Sequence, residues 1–136
     1  MSKVKYIDRA LVVNPYYVGL VTNEQAFRQE LKRLKVPEKD WPDYMGSNHA
    51  DATAHFLEKA DGSSISLVCL REKKKVDRVQ VLGVLIHEAV HVWQYVRRYL
   101  GESAPSDEFE AYAVQKIAQG LIAAYVNQTG QPRHHV

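Results

Sequence analysis

Apolar residues in the first third of the chain come in short runs before they fall into helical spacing. Residues 10–14 and 16–22 are rich in Val, Leu and Tyr on either side of Pro15, which predicts two extended segments around a bend. From Ala26 and Phe27 through Glu30 and Leu31 to Leu34, side chains that share a face recur every three or four residues. A helix is therefore expected from Thr22 or Asn23, either of which can cap it, to about Lys35, with Pro37 stopping it. Residues 41–48 hold Pro42, Asp43, Gly46 and Ser47 and read as a surface loop. Two strand-like runs follow, 51–59 and 63–71, joined by Ala60-Asp61-Gly62. The Asp-Gly pair is a strong hairpin signal, so these runs are expected to pair antiparallel.

The second half changes character. After a charged loop over residues 72–75, a mostly apolar stretch over 76–100 predicts one long helix, ended by Gly101 and sufficiently apolar to be buried. Ser106, after Pro105, can cap a second helix to about Asn127, and Gly130 and Pro132 close the ordered region. Residues from about 128 to 136 are expected to form a flexible tail. Strands, helix, hairpin, helix, helix is an α+β order, because strands and helices do not alternate as a parallel βαβ sheet requires. With 136 residues and no repeat, low-complexity tract or linker, one domain over residues 1–136 is expected.

Composition removes some classes of function. Hydrophobic residues at 46% and charged ones at 25% suit a packed core under a wet surface, not a disordered chain. Eighteen Lys+Arg against 16 Asp+Glu leave a formal charge of +2, which gives nucleic acid binding no electrostatic support. The basic start is followed by no apolar signal region, and no apolar run approaches the ~20 residues that span a bilayer. A cytoplasmic protein without a membrane partner is the expectation. Cys69 is the one cysteine, so no internal disulfide forms, and its place in the alternation Ile65, Leu67, Cys69 predicts a buried structural thiol.

The chemistry lies in the long helix. His87-Glu88-Ala89-Val90-His91 has the H-E-x-x-H spacing. Residues four apart on a helix stand about 40° apart around the axis and one turn of ~5.4 Å along it, so both imidazoles can reach one ion. Zinc suits them, since it binds imidazole nitrogen at ~2.0–2.1 Å and in catalytic sites keeps one tetrahedral position for water. Two imidazoles and a carboxylate also suit iron or nickel. Glu88, about 100° from His87, flanks the ion and can act as base toward the attacking water and then as acid toward the leaving amine. Chance produces such a motif in a chain of this composition on the order of once or twice in a hundred.

A catalytic zinc usually has three protein ligands. The next helix offers Asp107, Glu108 and Glu110. Glu110 shares a face with Ala113, Val114, Ile117 and Leu121, where a carboxylate is costly unless a cation meets it, so it is the preferred third ligand. Glu108 falls on a more polar strip and suits the helix dipole, and Asp107 stands behind both.

His87-Glu88-Ala89-Val90-His91 followed by Glu110-Ala111-Tyr112-Ala113 resembles the zincin metallopeptidases of the gluzincin type, in which a downstream helical glutamate completes the zinc site. The run, including His-Val-Trp-Gln after the motif, is similar to small metallopeptidase-like proteins of phages and prophages; the specific part covers about residues 84–117. The resemblance implies a minimal zincin-like fold: a small, mostly antiparallel sheet, an active-site helix carrying His87, Glu88 and His91, and a helix carrying Glu110. It also implies Zn2+ as cofactor, a peptide or protein substrate, and a bacterial or phage-infected host cytoplasm. Arg97 and Arg98 occupy the region where metzincins carry a third histidine, and the thermolysin-like downstream motif is missing, so no specificity is carried over.

Other residues have plainer readings. Gln94 and Tyr95 can border the cleft, Tyr95 as an oxyanion donor or as core, and Tyr112 has the same two readings. His55 suits a cross-strand or surface role and His49 a loop; the run 71–75 suits solvation, and His134-His135 a mobile tail that can reach metal. Two rivals to a peptidase stand: a non-catalytic zinc-stabilised zincin-like module binding a protein or DNA partner, and a metal-free domain whose motif is hydrogen-bonded within the core.

Overall fold

The structure, a computed structural model, describes residues 4–7 and 16–129. The expected extended segment at 10–14 and residues 130–136 of the expected tail lie outside these residues; Gln128 and Thr129, placed in that tail by the sequence, instead end the last helix, Gln128 donating to Leu20 O at 3.2 Å. The elements are β1 (Tyr16–Val21), α1 (Glu24–Arg33), a 3-10 turn (Glu38–Asp40), β2 (Ala52–Glu58), β3 (Ser64–Leu70), α2 (Arg78–Tyr99) and α3 (Asp107–Gln128). The α+β expectation holds.

The sheet has the order β1-β3-β2. The hairpin is antiparallel as expected, with His55 opposite Leu67, whereas β1 runs parallel to β3, with Tyr16 opposite Ser64. The sheet is thus mixed where a mostly antiparallel one was expected. The reason is positional: β3, last in sequence, lies at the centre, and every one of its residues is buried. Both faces of such a strand meet packed layers, so its apolar residues do not have to alternate. Ile65, Leu67 and Cys69 pack with Phe27, Leu31 and Tyr44 on the α1 side. Val68 and Leu70 pack with Leu85, Ala89, Val92, Trp93, Ile117 and Leu121 on the side of α2 and α3. Cys69 is buried, and burial pushes its thiol pKa up, which keeps it a small apolar group.

On the α1 side, polar groups are closed off. Asn23 caps α1 by accepting from the Ala26 N–H at 2.8 Å. At the other end Val36 N–H reaches Leu31 O and Lys35 N–H reaches Lys32 O, a Schellman ending that holds Lys35 at φ 63°. Glu30, with 4% exposure, receives the Tyr6 hydroxyl at 2.6 Å and the Arg33 guanidinium, whose Nε lies at 2.9 Å. The 41–48 loop is held by Tyr44, which is buried and sets its hydroxyl against the carbonyls of Val21 and Leu70.

Candidate functional site

Asp77 fixes where α2 begins, its carboxylate accepting from the N–H groups of Val79 and Gln80 at 3.0 and 3.2 Å. The helix then lays Leu85, Glu88, Ala89, Val92, Trp93 and Val96 inward. It is not the wholly buried helix expected from its apolar content. Ile86 and Val79 are exposed, as are His87 and His91, because only the strip facing the sheet and α3 is covered. The exposed histidines therefore need no partner inside the core, and of the three motif side chains only that of Glu88 is packed inward.

His87 and His91 converge. Their Nε2 atoms stand 3.2 Å apart, with ring centroids at 4.8 Å and planes at 71°. Two nitrogens at ~2.0–2.1 Å from one tetrahedral ion are separated by about 3.3 Å, so the pair already has the spacing of a shared metal. With no ion the same contact is a hydrogen bond in which one ring must donate. His91 Nδ1 is 3.2 Å from Gln94 Oε1. An amide oxygen only accepts, so Nδ1 carries the proton and His91 Nε2 presents its lone pair. Gln94, expected only to border the cleft, orients one of the two donors.

Glu88 has 7% exposure yet makes no hydrogen bond or ion pair with the described residues, and no described buried side-chain oxygen or nitrogen is left without a partner. Its stem is therefore packed while its carboxylate reaches solvent. It opens with His87 into a hollow of about 490 Å³ walled by Ala50, Asp51, Ala52, Gln80 and Val84. β2 begins at this hollow, and among the described residues β2 pairs only with β3.

Glu110 is placed differently. It sits half-buried in line with the buried Ala113, Ile117 and Leu121, as its face predicts, but its Oε2 accepts from Trp93 Nε1 at 2.8 Å. Trp93 is two residues beyond His91, about 200° around the helix, so Glu110 meets the opposite flank of α2. A neutral indole N–H thus stands where a cation was expected. Glu108 and Asp107 are exposed in the first turn of α3, behind the Ser106 cap. Among the described residues no three His, Cys, Asp or Glu side chains gather closely enough to hold a metal ion.

The remaining candidates serve structure. Tyr95 stacks on Phe56 at 4.3 Å and donates to Glu58 at 3.0 Å; burial, then Glu58, pushes its pKa up to about 12, so it stays protonated and ties α2 to β2. His55 stacks on Phe27 and donates through Nε2 to Tyr44 O at 3.0 Å. His49 lies in an exposed loop and Tyr112 is 51% exposed. Asp51 was missed: it receives Lys73 at 2.6 Å and Gln80 at 3.2 Å, bracing β2 against α2 beside Glu88. Its partners are distant in sequence, so no local signal marks it.

Comparison with protein-family models, curated proteins and solved structures finds no match to this chain. Among the described residues no helix is long and apolar enough to cross a membrane.

Proposed function

We propose that the chain is a zinc-dependent peptidase of minimal zincin type, working in a bacterial or phage-infected cytoplasm. The observation that carries this reading is the 3.2 Å convergence of His87 and His91 Nε2 atoms next to a packed carboxylate, Glu88, that has no partner among the described residues. A zinc ion held by His87, His91 and a third group would polarise a substrate carbonyl and lower the pKa of a water toward ~7. Glu110 remains the third ligand we propose, but it meets Trp93 on the opposite flank of α2, so it would have to leave the indole and α3 would have to shift for the carboxylate to reach an ion at His87 and His91.

The residues divide the work. Glu88 takes the proton from the attacking water and returns it to the leaving amine, a role that needs an ionisable group with no competing partner. Gln94 holds His91 in the tautomer that can ligate. Strand β2, at the sheet edge and starting at the hollow, orients an extended peptide through main-chain hydrogen bonds. Order in the sheet supports this, since the edge strand and the imidazole-bearing helix flank the same opening.

The test uses the full chain purified without chelator. Wild type should carry about one zinc per chain and cleave unfolded casein, and Glu88→Gln should retain the zinc while losing ~10²–10⁴ in rate. Equal cleavage by both proteins would remove the peptidase reading, and zinc retained without any cleavage would favour a binding module.

A further inference from the structure

A second hollow, of about 370 Å³, opens beside the first and shares Asp51, Gln80 and Val84 with it. Five of its eleven lining residues are apolar or aromatic: Leu70, Val76, Val81, Val84 and Tyr125. Val76 is 46% exposed here among the described residues. Three cations, Arg71, Lys73 and Lys75, line it as well, with Asp51 and Asp77. Most of these charges are occupied. Arg71 is spent on the carbonyls of Ala50 and Ser47, Lys73 on Asp51, and Asp77 on the N–H groups that open α2. Lys75 has no partner among the described residues.

We propose that this hollow binds a peptide segment bearing a bulky apolar side chain, with a carboxylate just beyond it met by Lys75. The inference rests on the peptidase reading for its biological meaning, because the shared wall places the hollow next to Glu88; its physical content is independent of turnover. The apolar part of a chamber of this size accepts Leu, Ile, Met or Phe, and removing such a side chain from water supplies most of the selectivity, about tenfold or more over Gly. The cation is exposed, so the carboxylate adds only two- to fivefold and that gain shrinks with salt. The carboxylate can belong to an acidic residue or to the end of the chain.

The experiment titrates four blocked peptides into the 15N-labelled full-length protein without zinc and follows the amides of Val76, Val81 and Val84. Ac-Leu-Glu-NH2 carries an acidic side chain, Ac-Leu-Gly-OH a free terminus, Ac-Leu-Gly-NH2 neither, and Ac-Gly-Glu-NH2 no apolar group. The first two should bind about tenfold tighter than the last and two- to fivefold tighter than the third; whichever of the two is tighter identifies the source of the carboxylate. Val76→Trp, at a position 46% exposed, should block all binding while leaving the melting temperature close to that of wild type, and Lys75→Glu should reverse the carboxylate preference. Leu and Gly peptides binding alike, or shifts away from these amides, overturn the proposal. Casein cleavage by wild type and Glu88→Gln is scored separately. Turnover without a Leu preference would leave the peptidase standing and the hollow dismissed, whereas selective binding without turnover would leave a peptide-binding site and no peptidase.

Discussion

Two glutamates are buried to nearly the same degree, Glu30 at 4% and Glu88 at 7% exposure, and they are used in opposite ways. Around Glu30, on the α1 side of the sheet, Tyr6 and Arg33 satisfy both carboxylate oxygens. Around Glu88, on the α2 side, no described residue supplies a partner and a hollow opens instead. The histidines repeat the contrast: His55 is stacked and hydrogen-bonded within the α1 layer, while His87 and His91 turn their Nε2 atoms to each other at the exposed side of α2. Burial alone therefore does not mark a functional acid. A packed side chain whose charged end is unengaged and open to solvent does, because nothing in the described fold competes for that charge.

Exchanging each glutamate for glutamine tests the contrast most strongly. Glu88→Gln should cost ~10²–10⁴ in peptide hydrolysis while leaving the melting temperature within a degree or two. Glu30→Gln should do the reverse, keeping activity within about twofold and losing roughly 1–3 kcal/mol of stability as its charge-assisted bonds weaken. The pH dependence carries a sign. Burial pushes the Glu30 carboxyl up, but the Arg33 and Tyr6 hydrogen bonds outweigh it and hold the pKa below the ordinary value. Its contribution is therefore fully present above the unfolded glutamate pKa of about 4.3 and is lost as pH falls through the lower folded value. Chemical denaturation between pH 6 and 3 should show a shallower acid decline in Glu30→Gln than in wild type; parallel declines would assign that limb to other carboxylates.

The metal side of the contrast is sharpened next. Gln94→Leu removes the acceptor from His91 Nδ1 and should weaken zinc binding about 10–100-fold, while Gln94→Glu, which keeps an acceptor, should restore it. Competition with a chromophoric chelator reads this directly. Glu110→Gln is informative because an amide oxygen can still receive the Trp93 indole but makes a poor ligand. Loss of zinc at an unchanged melting temperature supports ligation by Glu110, whereas retained zinc confines Glu110 to its bond with Trp93, and loss in Glu108→Gln instead would reassign the ligand.

Much of this organisation can be read along the chain, but only where its cause is local. The caps at Asn23 and Ser106, the turn at Asp61-Gly62, the end of α2 near Gly101 and the 40° relation of His87 to His91 all depend on a few neighbouring residues, and each appears within a residue or two of where it is expected. What depends on distant partners does not show. The parallel pairing of β1 with β3 needs the chain to return after more than forty residues. The partial exposure of α2 depends on how much of it α3 and the sheet happen to cover, and the apolar face of Glu110 predicts a buried partner without saying that it is Trp93. Tyr44 looks like any loop aromatic until the ends of β1 and β3 supply its two carbonyls.

The smallest effect tests whether the α1 layer is scaffold only. Lys35 closes the Schellman turn at φ 63°, a left-handed conformation that is costly for a residue with a Cβ. Glycine adopts it freely, and Lys35 makes no hydrogen bond through its side chain with the described residues. Lys35→Gly should therefore stabilise the protein by about 0.5–1 kcal/mol, since the relieved strain exceeds the added freedom of the unfolded chain. Hydrolysis and zinc affinity should not move, because Lys35 ends the helix that carries Glu30 while the candidate site is on the other face of the sheet. A rise of a few degrees in melting temperature with unchanged kinetics fits a rigid support on that side. A change in turnover accompanying the same rise would instead couple α1 to the site through β3, whose residues face both layers.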